Sequence, residues 1–255
     1  MKSGTTITAS DKAIIIVGDP GSRKTTLALH FPRPYFLDCD GNLASPVEQT
    51  GIRAFSYDSA VRDNDGKLIH PLDRFQHCCR CLNEAAASPD IDTIIIDSLT
   101  TLTDIVFSEI KRQEYGSIGM TDNAKDVADA KAMRIQDWGK FAAIVKNLMT
   151  KLRTTGKILV VIAHNNIDKG EADTRYMTFL NIPGQCKNTL SGLFTDCWNT
   201  FCDITGIGAA STHKFCVRTL PVSDVDVRGV KSSFPQLKRI ATFDEVIAEI
   251  RKLKP

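Results

Sequence analysis

Long apolar runs are missing from this chain. None approaches the roughly 18 residues that cross a bilayer, so no membrane span is expected. The opening residues, Met1 to Asp11, lack the apolar core of a secretory signal, and a cytoplasmic location is the expectation. A surplus of one charge sign is also missing. Lys and Arg number 32 against 30 Asp and Glu, a net charge of +2. The molecule is not a polycation, so any nucleic-acid contact must be local. Internal repeats and low-complexity tracts are absent. A second ligand pair is absent too. His77-Cys78-Cys79-Arg80-Cys81 invites a zinc reading but has no partner pair at finger-like spacing. Core packing is the better reading, with Leu72, Phe75, Cys79, Leu82 and Ala86 forming one helical stripe. The eight cysteines are scattered, as free thiols in a reducing compartment would be.

What is present suits a globular α/β protein. The 255 residues, 42% hydrophobic and 24% charged, can bury one large core or two small ones. Five strands are expected at Ala13–Val17, Pro34–Asp38, Ile52–Tyr57, Thr93–Asp97 and Lys157–Ala163. Several are unbroken Ile, Val and Leu runs, the pattern of parallel strands covered on both faces. Helical stretches alternate with them. The clearest is Gln136–Thr154, where Trp138, Phe141, Val145, Leu148 and Leu152 line one side. Beyond Phe194, Cys197–Ile204 and Lys214–Leu220 read as antiparallel strands around the turn 206–212. Thr242 is placed to cap a last helix with Phe243, Val246, Ile247, Ile250 and Leu253 inward. Lys111–Lys131 and Asn165–Ser191 read as long loops, and loops of that length are usually functional.

One stretch carries most of the chemistry. Gly18-Asp19-Pro20-Gly21-Ser22-Arg23-Lys24-Thr25-Thr26 follows the first apolar strand and opens a segment, Thr26–Phe31, that reads as a helix. Strand, glycine-bearing loop, Lys-Thr and helix is the layout of a P-loop. Backbone N–H groups there hold a polyphosphate, Lys24 adds charge, and the Thr25 hydroxyl suits Mg²⁺. ATP with Mg²⁺ is the expected ligand. The pattern G-x-x-x-x-G-K-[ST] wants glycine where this chain has Arg23. Either Arg23 points away and its N–H still binds, or its side chain crowds the phosphates and weakens the site.

Acidic and polar residues end the other strands. Asp92-Thr93-Ile94-Ile95-Ile96-Asp97-Ser98 is an apolar strand closing in a carboxylate, the Walker B pattern, and Asp97 is placed to share Mg²⁺ with Thr25. Phe36-Leu37-Asp38-Cys39-Asp40-Gly41 ends the second strand. Asp40 is the candidate that orients or deprotonates the attacking water, while Asp38 suits a structural hydrogen bond. Leu159–Ala163 leads into His164-Asn165-Asn166, and His164 is placed to sense the terminal phosphate. In the loop beyond, Lys169, Arg175, Lys187, Tyr176 and Phe179 supply cations and rings for bases to stack on, diluted by Asp168, Glu171 and Asp173.

The order of these parts resembles the RecA-like ATPase core. It looks closest to compact phage-encoded RecA-like proteins, a group that includes Sak-type single-strand annealing ATPases. Phe31-Pro32-Arg33-Pro34-Tyr35-Phe36-Leu37-Asp38 and Gln136-Asp137-Trp138-Gly139-Lys140 fit that group, and the resemblance spans roughly residues 12–230. It implies a mostly parallel sheet flanked by helices, followed by an antiparallel β extension. It implies a division into a flexible N-terminus (1–11), an ATPase core (12–194) and a C-terminal hairpin and helix packed on it (195–255). It implies homo-oligomers and single-stranded DNA contacts through the loops Lys111–Lys131 and Asn165–Ser191. In the family pattern the catalytic carboxylate is a glutamate, where this chain has Asp40, and the phosphate sensor is a glutamine, where it has His164. The function this implies is DNA recombination or annealing with ATP hydrolysis coupled to single-stranded DNA. The alternative is a nucleotide-binding switch or scaffold with little turnover. A small-molecule kinase needs an arginine-bearing lid and an acceptor pocket, and neither is marked in the sequence.

Overall fold

Strands with no polar face must be covered on both sides, and here they are. A computed structural model of the protein describes residues 12–115, 135–169, 176–180, 190–206, 211–219, 225–227, 232–234 and 236–253. Strands β1 (Ala13–Gly18), β2 (Pro34–Asp38), β3 (Ser56–Ser59), β4 (Thr93–Asp97), β5 (Ile158–Lys169) and β7 (Asp196–Thr205) run parallel in the order β7-β1-β5-β4-β2-β3. The sheet continues beyond β7 through antiparallel β8 (Thr212–Arg218) and β10 (Ile240–Thr242). Every residue of β1, β2 and β4 is buried. Each such aliphatic side chain contributes on the order of 1.5–3 kcal/mol to folding.

Helices cover the two faces. Helices α3 (Arg74–Ala87), α4 (Leu99–Tyr115) and α5 (Ile135–Arg153) pack on the odd-numbered side chains of β1, including Ile15 and Val17. On the opposite face, α1 (Lys24–Ala28), α2 (Ala44–Thr50) and α6 (Phe243–Ile250) meet Ile14, Ile16, Ile95 and the fully buried Trp198. Thr242 caps α6: its hydroxyl accepts from the Glu245 N–H, and the Glu245 carboxylate accepts from the Thr242 N–H, a reciprocal capping box.

Several expectations shift. The third strand begins at Ser56, not Ile52, because residues 51–55 make no ladder and only Ser56–Ser59 pairs with β2. The fifth runs past Ala163 to Lys169, since Asn165–Lys169 pair antiparallel with β6 (Tyr176–Leu180). Strand β9 (Val225–Val227) joins β6 in parallel. The expected loop Asn165–Ser191 therefore starts and continues as sheet. Lys111 to Tyr115 belong to α4 rather than to a loop. Residues 116–134, 170–175 and 181–189 lie outside the described residues, as do Arg175 and Lys187, and so does the expected flexible N-terminus 1–11. The first helix opens at Lys24, two residues before Thr26, and gives way to a turn at Leu29. On α3 the buried stripe is His77, Cys78, Cys81, Leu82 and Ala85, so Cys79 turns partly outward. His77 there is held by the Ser59 carbonyl (3.0 Å) and the Arg80 guanidinium (2.8 Å). Among the described residues no helix is long and apolar enough to cross a membrane.

Candidate functional site

The carboxyl ends of β1, β2, β4 and β5 point the same way, because these strands are parallel. The residues that follow those ends are brought to one edge of the sheet. Gly18 closes β1 against β7. A Cβ on Gly18 would lie 2.3 Å from Thr200 Oγ1 and 2.5 Å from the Thr200 carbonyl oxygen, so no side chain fits. Asp19, Pro20, Gly21 and Ser22 form the turn that follows, with the Ser22 N–H donating to the Asp19 carbonyl at 3.1 Å. Gly21 has φ of +80°, a conformation only glycine adopts without strain. Ser22 Oγ is 2.8 Å from Thr200 Oγ1, tying the loop to β7.

Arg23 caps α1 in the left-handed conformation, φ 61° and ψ 33°. That explains why the motif wants glycine there. The guanidinium turns away along the sheet and stacks 3.9 Å above the ring of Phe215 on β8. Its backbone stays in the loop while its charge is carried past β7 to β8.

Lys24 is buried and donates to the carbonyls of Gly18 (2.9 Å) and Asp19 (2.8 Å). Burial lowers its pKa, and Asp97, Asp19 and Asp40 push the other way. Thr25 Oγ1 donates to Asp97 Oδ2 at 2.6 Å, which joins the loop to the end of β4. Burial raises the Asp97 carboxyl to about 7, with Asp40 and Asp38 adding to the rise and the Thr25 hydrogen bond and Lys24 opposing it. Thr26 follows in α1, half-buried.

At the end of β2, Asp38 has the structural role expected of it. Its Oδ1 accepts the N–H of Asp40 (3.2 Å) and Gly41 (2.7 Å), and burial raises its pKa. Asp40 is thereby presented at the sheet edge. Its Oδ2 lies 3.7 Å from His164 Nε2, where the parallel part of β5 ends. The buried Nδ1 of His164 has no hydrogen-bond partner among the described residues. Thus Lys24, Thr25, Asp97, Asp40 and His164 all gather at one edge. Lys169, Tyr176 and Phe179 sit on β5 and β6, beyond it.

Sequence reasoning overlooked three groups. Ser98, between β4 and α4, and Thr101, in the first turn of α4, both donate to Asp40 Oδ1, Ser98 at 3.1 Å. Thr100 Oγ1 accepts from the His164 N–H at 3.3 Å. The hydroxyl run Ser98-Leu99-Thr100-Thr101 after a strand-ending carboxylate was the available signal.

No curated protein matches the chain. Among solved structures it is similar to the KaiC-like protein PH0186 from Pyrococcus horikoshii OT3, a hyperthermophilic archaeon. The two share 10% identity at a TM-score of 0.39, over 81% of this chain and 77% of that one. A family model described as an AAA domain matches residues 10–197, a span that holds the loop and every strand end described above. The chain belongs to the AAA-domain family of nucleotide-binding P-loop NTPases.

Proposed function

We propose that this protein binds ATP at Gly18–Thr26 and hydrolyses it slowly, with turnover coupled to single-stranded DNA in a homo-oligomer. The observation that carries the reading is the 2.6 Å hydrogen bond from Thr25 to Asp97. It brings the phosphate-binding loop and the strand-end carboxylate into one site. Lys24 exchanges the Gly18 and Asp19 carbonyls for phosphate oxygens. Asp40 accepts the proton of the attacking water, and His164 stands beside it to contact the terminal phosphate.

Magnesium fits the residues present. Thr25 and Asp97 offer hard oxygen donors, and a site with one carboxylate, the rest filled by phosphate and water, is usual for this ion. Among the described residues no cluster of three or more His, Cys, Asp or Glu forms a self-sufficient metal site, so the ion would arrive with the nucleotide. Thr25 and Asp97 would hold it, and when bound it offsets phosphate charge.

The DNA part of the proposal rests on continuity. β5 passes from the site at His164 directly to Lys169 and pairs there with β6. A change at His164 therefore reaches β6 through one unbroken strand. A place in phage recombination or annealing extends this reading. A second reading, a nucleotide switch with little turnover, is favoured by Asp40, whose carboxylate is one methylene shorter than the glutamate of the family pattern.

The test is ATP hydrolysis with and without single-stranded DNA, at two salt concentrations, alongside Lys24→Ala. Turnover raised by DNA, and less so at high salt as phosphate contacts weaken, supports the first reading. Nucleotide binding with negligible phosphate release and a change in oligomer mass supports the second. Binding indifferent to Lys24→Ala rejects both.

A further inference from the structure

The junction of β4 with the first turn of α4 does more than start a helix. Its three hydroxyls, Ser98, Thr100 and Thr101, reach residues of two other strands, β2 and β5. Thr101 Oγ1 and Ser98 Oγ converge on one oxygen of Asp40, Oδ1. Ser98 Oγ also accepts the Thr101 N–H at 3.4 Å, which sets the two hydroxyls relative to each other. Thr100 Oγ1 receives the His164 N–H. The last residue of β4, Asp97, takes the Thr25 hydroxyl. Four residues therefore bind Asp40, after β2, and His164, in β5, to the strand that faces the loop.

Asp40 has two torsions to fix. Its backbone N–H is held by Asp38, which places the Cα. The two hydroxyl donors then settle the carboxylate plane, occupying Oδ1. The remaining oxygen, Oδ2, is directed toward His164 Nε2. Ser98 is fully buried, so its donor is fixed by packing rather than exposed to competing water.

We propose that Thr101 and Ser98 are positioning residues that orient Asp40 for water activation, a role that rests on the hydrolytic reading above. In that step a water gives its proton to Asp40 Oδ2. Its oxygen bonds the γ-phosphorus as the bond from phosphorus to the β–γ bridging oxygen breaks, and ADP and phosphate leave. Neither hydroxyl touches the nucleotide. Both act through the aim of one carboxylate, and misplacement of such a group by about 1 Å costs on the order of 10²-fold in rate.

The experiment measures kcat and nucleotide Kd of the full chain with Mg-ATP, wild type against Thr101→Val, Thr101→Ser, Ser98→Ala and Asp40→Asn. Thr101→Val keeps the shape and removes the donor, and kcat is expected to fall about 10-fold or more with Kd within about twofold. Thr101→Ser restores the donor and is expected within about threefold of wild type. In an Asp40→Asn background, Thr101→Val is expected to add no further loss, since both act through one group. Ser98→Ala carries the same expectation if the valine variant fails to fold. The clasp is overturned if kcat responds to Asp40→Asn but not to Thr101→Val and Ser98→Ala. It is equally overturned if Thr101→Ser falls as far as Thr101→Val, or if the loss persists in the Asp40→Asn background. Nucleotide binding that needs Lys24, with kcat indifferent to Asp40→Asn, instead removes Asp40 from the chemistry and the proposal with it. A wild-type chain without turnover overturns both.

Discussion

A single backbone angle decides what Arg23 costs. At φ 61° a side chain crowds the following carbonyl, a penalty of roughly 1–2 kcal/mol that glycine escapes. The stack on Phe215 returns about 0.5–1 kcal/mol. The two nearly cancel, so Arg23→Gly is expected to leave stability within about 1 kcal/mol of wild type. Arg23→Ala loses the stack and keeps the strain, and should be about 1 kcal/mol less stable than Arg23→Gly. Urea unfolding of the three proteins checks the order. Because the guanidinium already lies on β8, Arg23→Gly should also leave nucleotide affinity nearly unchanged in a binding titration; a large gain would mean that the side chain obstructs the phosphates. Gly18 presents the opposite case. There the obstacle is the fixed Thr200 carbonyl, not torsion. Gly18→Ala should cost about 1–3 kcal/mol in urea unfolding and disturb the loop.

At the scale of elements, legibility followed burial. Pro34–Asp38 and Thr93–Asp97 were read to the residue because in each a short, mostly apolar run closes in a carboxylate. β3 was misplaced because Ser-Tyr-Asp-Ser is a polar edge strand, joined on one side only. The extension of β5 through His164-Asn165-Asn166 was invisible because Asn and Asp are poor strand formers, although its partner β6 begins at Tyr176, soon after β5 ends at Lys169. On α3 the cysteines at 78, 79 and 81 fit two stripes equally well, and only packing against the sheet chose between them. The site was legible through strand ends: Asp40, Asp97 and His164 each end or follow a parallel strand. The hydroxyls that hold Asp40 were not, because a Ser or Thr at a helix start is usually read as a cap. The Thr242 cap of α6, by contrast, was legible, and the capping box it forms with Glu245 can be tested. Thr242→Ala should cost about 1 kcal/mol in urea unfolding. The Thr242 backbone N–H, then Lys238 and the Thr242 hydroxyl, hold the Glu245 carboxyl down to about 2 from an ordinary 4.5. A depressed carboxyl stabilises the fold at pH above its unfolded value and loses that contribution as pH falls through the folded one. The stability gap between wild type and Glu245→Gln should therefore be full at pH 7 and shrink from about 4.5 down to about 2. A gap unchanged at the acid end would place its origin elsewhere than the carboxylate.

For the whole molecule, the decisive fact is where β7 sits. It is paired in parallel with β1 from Ile14↔Asp196 to Gly18↔Thr200, so the strand that carries the phosphate loop has β5 on one edge and β7 on the other. The antiparallel strands β8 and β10 hang from β7, and α6 packs beneath. The chain beyond residue 195 thus shares its hydrogen bonds and its core with the P-loop strand, and the two parts should melt together. The two tryptophans of the sequence report on each part separately. Trp138 on α5 packs edge-on against Phe107 and Phe141, on the α3–α4–α5 face. Trp198 on β7 is fully buried against Phe31 and Phe234, on the other face. Trp138→Phe leaves only the second probe and Trp198→Phe only the first. In each variant, urea unfolding followed by fluorescence should give the same midpoint as far-UV circular dichroism, the signature of one cooperative transition. A Trp198 signal lost at lower urea than the dichroism would show that β7 and the extension detach first. In that case the phosphate loop would be held by β5 alone, and the ties from Gly18 and Ser22 to Thr200 could not be what shapes it.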